Sequence, residues 1–235
     1  MRLVRNLRTP VLALVVLAAP LVAHSQIVPT GTFGPQPTMS FNGNGIPNHA
    51  VMVNSNSNSS LTLGLTAHQR VAGPNLNNNG AGIFYASAGN PFASFPTYAS
   101  WNFGFFVGGT AITQYSYKLF YDFDPAVGNL QSSHGVFSFN TGITAQDSWN
   151  LGMSFLGANS GGFVKPTFPS FNPNAAGQYT FALVAYQQTG AEFDRAAIRV
   201  NSTVPEPSTY ALMAAGLAGL GFFARRRRSA ATLVS

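Results

Sequence analysis

The chain has 235 residues, with 12 Lys and Arg against 6 Asp and Glu, a formal net charge of +6, and no cysteine. Without cysteine there is no small disulfide-stapled scaffold and no cysteine nucleophile. The basic excess does not point to nucleic acid: Arg2, Arg5 and Arg8, with Arg225 to Arg228 set against Glu206, account for all of it.

In chain order, Met1 to Gln26 has the three regions of a secretory signal peptide. Arg2, Arg5 and Arg8 supply the positive start, Val11 to Ala19 a short apolar helix, and Pro20 breaks it. The apolar run is too short for a membrane span. Ala23 and Ser25 put small residues where signal peptidase needs them, which predicts cleavage between Ser25 and Gln26 and a signal peptide over 1–25.

Gln26 to Pro37 reads as a loose N-terminal arm, and Asn54 to Ser60, all Asn and Ser, as an exposed low-complexity loop. Strong period-two patterns follow at Leu61–Thr66, Tyr115–Phe123, Trp149–Phe155 and Tyr179–Ala185. Such alternation describes strands with one buried face. Weaker strands are predicted at Ala50–Val53, Gly82–Ser87, Ser100–Val107, Gly135–Phe139 and Ala196–Asn201, with turn-rich stretches at 75–80 and 172–174. No amphipathic helix of ten residues is evident in this region. Residues 26–203 are therefore expected to form an all-β domain, a single antiparallel β-sandwich or jelly roll of about eight to ten strands, with a barrel as the second choice. Of the 20 Phe, all but Phe222 and Phe223 lie in this segment, too many to leave unburied.

The domain is followed by Val204-Pro205-Glu206-Pro207-Ser208, then an uncharged stretch from Thr209 to Ala224, then Arg225-Arg226-Arg227-Arg228. The prolines hold the five-residue tag extended. The uncharged stretch spans ~24 Å as a helix, short of a ~30 Å hydrocarbon core, with Tyr210 and the arginines as interfacial ends. The arginines act as a stop-transfer signal: basic flanks stay cytoplasmic, so residues 26–203 lie outside and 229–235 form a cytoplasmic tail. This order of parts over about 204–228 resembles the PEP-CTERM sorting signal of Gram-negative bacteria. The resemblance implies that Pro205, Glu206 and Pro207 are the recognised element, that exosortase is the partner, and that the carrier accompanies exopolysaccharide and biofilm production.

Within 26–203, Arg70, Lys118, Lys165, Arg195 and Arg199 balance Asp122, Asp124, Asp147, Glu192 and Asp194. Asp122 and Asp124, at the end of a strong strand and followed by Asn129, are a weak calcium candidate. Ala126 and Ser133 break the EF-hand pattern, so no metal or other cofactor is assigned. His49, His68 and His134 lack zinc spacing and read as unrelated surface or packing residues. Glu192 and Asp194 lie two apart on one strand, and with Arg195 and Arg199 they read as a charged sheet edge rather than a glycosidase pair. Trp149 and Tyr117 belong to core alternation, leaving Tyr98 and Tyr186 as aromatics able to stack on sugars.

The expected function is that of an exported, non-enzymatic, exosortase-sorted surface or matrix protein. It is transiently membrane-anchored, then delivered to the cell surface or extracellular matrix, in association with extracellular polysaccharide. A carbohydrate-binding module is the alternative, and a matrix polysaccharide hydrolase the second alternative.

Overall fold

Alternating apolar residues become the inner faces of two sheets in the computed structural model of the chain, which describes residues 25–35, 51–58, 60–70, 76–204 and positions 213, 216 and 217. The strands are β1 (Thr32–Pro35), β2 (Val51–Asn58), β3 (Leu61–Gln69), β4 (Asn77–Asn78), β5 (Ile83–Ser87), β6 (Trp101–Gly108), β7 (Ser116–Tyr121), β8 (Gly135–Phe139), β9 (Ala145–Trp149), β10 (Phe163–Val164), β11 (Gly177–Tyr186) and β12 (Glu192–Thr203). They form a five-stranded sheet in the order β1-β2-β3-β6-β9 and a seven-stranded sheet in the order β10-β8-β7-β11-β12-β5-β4.

The core lies between these sheets. Leu61, Leu63, Leu65 and Ala67 of β3, with Trp101, Phe103, Phe105 and Val107 of β6, face Tyr117 and Leu119 of β7, Phe181 and Leu183 of β11, and Ile198 and Val200 of β12. Aromatic rings cross the gap. Phe103 stacks on Phe181 at 4.5 Å, and the Trp101 ring meets Phe181 edge-on at 6.1 Å. Burial of this size holds the sandwich without a covalent link.

The all-β expectation agrees with the fold; several details differ. The ladders are antiparallel except one: β5 runs parallel to β12, with Arg199 opposite Ile83 and Thr203 opposite Ser87. The strands beyond those expected are β9 and three short ones, β1, β4 and β10, that alternation over so few residues does not reveal. Asn54 to Asn58 is strand rather than loop, because β3 pairs with Asn54, Ser55 and Asn58 across an irregular step, and β1 pairs with Asn54 on the other side. The predicted strand Trp149–Phe155 does not form; the strand here is β9, Ala145–Trp149, which ends where the predicted one begins. There the Asn150 carboxamide turns into the fold to bond the backbone of Ala99 and Trp101, and a 3₁₀ turn, Ser154–Gly157, follows.

The arm expected to be loose is tied down over 26–35. Ile27 packs against Phe120, Ala182, Val184 and Ala197 on the outer face of the seven-stranded sheet. Thr30 exchanges both backbone hydrogen bonds with Ala197 of β12, and the chain then crosses to pair as β1 on the other sheet. Only part of β12 is a sheet edge, the part that carries Glu192, Asp194 and Arg195 and has β11 alone as its paired strand. From Arg199 the strand runs between β11 and β5.

The predicted signal helix and the arginine cluster lie outside the described residues. Within the predicted membrane helix, Met213, Gly216 and Leu217 have helical backbone. Among the described residues no helix is long and apolar enough to cross a membrane.

Candidate functional site

The C-terminal strand leads straight into the tag. Ser202 of β12 pairs with Gly177 of β11, and Thr203 pairs with Ser87 of β5. The Thr203 carbonyl still accepts a hydrogen bond from the Ala88 N–H at 2.8 Å. Val204 is exposed, and the next residue is Pro205, which has no N–H to offer a ladder. The sheet thus ends where the tag begins, with Val204 as the tag's first residue and Pro205 its second. Pro205, Glu206, Pro207, Ser208 and Arg225 to Arg228 lie outside the described residues.

At the other terminus, Ala23 also lies outside them, while Ser25 and Gln26 do not. The Ser25 carbonyl accepts the Gln131 N–H at 3.1 Å, and Gln26 bridges to Leu130. The bond predicted for signal peptidase therefore lies between two residues that are both hydrogen-bonded to the folded body.

The calcium candidates form a self-satisfied polar cluster. Asp122 is buried; its Oδ1 accepts the Asp124 N–H at 3.0 Å and its Oδ2 accepts the Asn129 Nδ2 amide at 3.0 Å. The same amide donates to the Asp124 carbonyl at 2.9 Å, so Asn129 turns nitrogen, not oxygen, toward the carboxylate. Asp124 Oδ1 accepts the Ala126 N–H at 2.9 Å. Calcium takes oxygen ligands, and here N–H donors hold the carboxylates. Among the described residues no group of three His, Cys, Asp or Glu is placed to hold a metal ion.

His134 belongs to this cluster, which its position in the sequence does not suggest. Its Nε2 lies 3.5 Å from Asp122 Oδ2 and 2.6 Å from the Thr180 hydroxyl, while Nδ1–H donates to the Leu130 carbonyl at 2.9 Å. Burial dominates both titrations. It pushes the Asp122 carboxyl up and the His134 imidazole down, partly offset by the attraction between the two.

His68 is likewise buried rather than superficial, in a chain of neutral groups. Its Nδ1–H donates to the Gln69 carbonyl at 2.8 Å, so Nε2 accepts from Ser148 Oγ at 2.8 Å. Ser148 Oγ in turn accepts the Asn102 amide at 3.0 Å, and Asn102 Oδ1 accepts the Asn150 amide at 2.9 Å. Desolvation lowers the His68 pKa. His49 lies outside the described residues.

The remaining carboxylates are dispersed. Glu192 is held by Arg195 through two bonds of 2.7 and 2.8 Å, Asp194 is buried and accepts the Arg195 N–H, and Asp147 sits opposite Phe105 on β9. A cleft of ≈ 540 Å³ opens at the end of the sandwich away from Thr203, lined by Thr113, Gln114, Tyr115, Asn140, Thr141 and Gln188 among others, with no charged group. A smaller cleft beside Gln26 contains Asp122 as its one carboxylate.

Of the aromatics, Trp101, Tyr117, Tyr121 and Tyr179 are buried in the core. Tyr186 carries the Lys118 ammonium over its ring at 5.2 Å. Tyr98 belongs to a cluster that alternation did not single out: the Arg70 guanidinium lies 4.8 Å from the Phe92 ring centre, 4.5 Å from Phe95 and 4.2 Å from Tyr98. The signal that could have found it is a three-residue aromatic spacing, 92, 95 and 98, punctuated by Pro91 and Pro96.

No curated protein and no solved structure matches the chain. Residues 203–228 match the family model described as the PEP-CTERM protein-sorting motif. That match starts at Thr203, the last residue of the sheet, and covers the tag, the apolar stretch and the arginines. The chain is thus a carrier of the PEP-CTERM sorting motif, an exported protein sorted by exosortase to the cell surface.

Proposed function

We propose that the chain is a non-catalytic component of the cell surface or extracellular matrix, anchored in the inner membrane by residues 209–224 until exosortase processes its tag, and associated there with exopolysaccharide or biofilm. The observation that carries this reading is the junction at Thr203, which is both the last residue of a charge-balanced sandwich and the first of the sorting motif. A body without catalysis is supported by its carboxylates. Asp122 and Asp124 are occupied by N–H donors, Glu192 by Arg195, and neither cleft brings carboxylates from different strands together.

Expression in a strain with exosortase and in one without it tests the reading. The expected result is a shortened surface form only where the enzyme is present, with full-length chain retained in the membrane fraction otherwise. The same size and location in both strains would sink it.

The distal cleft favours a second reading, carbohydrate binding. Its amides and hydroxyls suit the hydroxyls of a neutral polysaccharide, and Tyr115, stacked on Phe193 at 4.4 Å, provides a ring face at its wall. A glycan array probed with the processed protein and with its Gln114→Ala, Tyr115→Ala variant should show binding only for the parent. No binding by the parent removes this reading.

A further inference from the structure

We propose that the loop from Ala88 to Ser100 docks on the lipid bilayer beside the point where the chain enters it, inserting Phe92, Phe95 and Tyr98 into the interface; this rests on the membrane anchoring proposed above. The placement follows from hydrogen bonds. The loop starts where the sheet ends, with the Ala88 N–H on the Thr203 carbonyl at 2.8 Å, and it closes with the Ser100 hydroxyl on the Ser87 carbonyl at 2.9 Å. Loop and tag therefore leave the sandwich at the same end. The distal cleft is at the far end of β12, ~35 Å away along the strand.

The tether is short. Val204 to Ser208 spans less than ~20 Å even when extended, and each headgroup layer is itself ~5–7 Å thick. The end of the sandwich that carries Thr203 is thus confined near the bilayer. Tethering makes the loop's contact with lipid effectively intramolecular, so a few weakly partitioning rings suffice to orient the domain.

The surface of the loop suits that environment. Phe95 is 47% exposed, and Pro91, Ala93 and Pro96 beside it are exposed as well. Aromatic rings at an interface keep an apolar body in the acyl boundary and a polar tip in the headgroups, as Tyr98 would. Arg70 braces the three rings from behind by cation–π contact and, among the described residues, no ion pair joins it to a carboxylate. Its uncompensated positive charge complements an anionic leaflet.

The test uses the full chain reconstituted in phosphatidylethanolamine–phosphatidylglycerol vesicles containing a lipid brominated near the top of its acyl chains. Phe95→Trp and, separately, exposed Ser94→Trp report from the loop, and Gln188→Trp reports from the distal hairpin. Native Trp101 and Trp149 are buried and give the baseline. Flotation shows whether the chain is anchored, and bromine quenching shows whether the loop touches lipid. The expected result is flotation of every variant, quenching of the indole at 94 or 95, and none at 188. Flotation with no quenching at either loop position overturns the docking and leaves the loop to a protein partner. Failure to float overturns the anchoring and the docking with it.

Discussion

His68 and Asn150 show how much of this sandwich rests on single polar side chains. His68 is fully buried, and desolvation depresses its pKa below the usual 6.5. A depressed imidazole takes up protons less readily folded than unfolded. Its stabilising contribution is therefore complete above about pH 6.5 and is lost as pH falls toward the folded value. Thermal melts should accordingly drop progressively on acidification from pH 7 to pH 5, and His68→Gln should flatten that slope. It should do so only in part, because burial depresses His134 in the same direction. An unchanged slope in His68→Gln would assign the effect elsewhere. Asn150, also fully buried, donates to the Ala99 and Trp101 carbonyls and accepts the N–H groups of Ala99 and Gly152. Asn150→Ala strips these buried groups of their partner and should cost about 3 kcal/mol or more in chemical denaturation. Gly152 beside it cannot take a Cβ without striking the Thr97 carbonyl.

The N-terminal arm shows an element whose role is invisible to local pattern. Gln26 to Pro35 is short and has no sustained alternation, so it reads as loose. In the fold Ile27 is 5% exposed and covers Phe120 and Val184, while Thr30 bridges to β12. Truncation by Ile27→Ala should lower stability by roughly 2–4 kcal/mol, read as a shift of the urea midpoint without a change in slope. A shift under about 0.5 kcal/mol would mean that the arm adds nothing to the folded state. The longer strands were legible for a plain reason. Leu61, Leu63 and Leu65, or Tyr179, Phe181 and Leu183, alternate because each faces the inter-sheet core. The Trp149–Phe155 strand misled because Trp149 and Leu151 are buried, as a strand would bury them, while Asn150 takes the backbone out of the ladder.

For the molecule as a whole, one core joins both sheets. Phe103 on one and Phe181 on the other lie in ring contact, and no disulfide exists to hold either alone. The sheets should therefore melt in one cooperative transition, identical with and without reductant. Two resolved transitions in calorimetry would contradict a shared core. Among the described residues, pairing in β12 ends at Thr203, where the sorting motif begins.

Addressing was readable from the residues alone, because a proline-bracketed tag, an apolar run and an arginine cluster act through local conformation, hydropathy and charge. So was the all-β class, because alternation is imposed residue by residue on a half-buried strand. What only the tertiary structure decided are the contacts between distant segments: the parallel β5–β12 pair, the seating of the arm, the meeting of His134 with Asp122, and the gathering of Phe92, Phe95 and Tyr98 around Arg70. These depend on which strands lie side by side, and no short-range pattern encodes that choice. It is made when the whole set of apolar faces is buried at once.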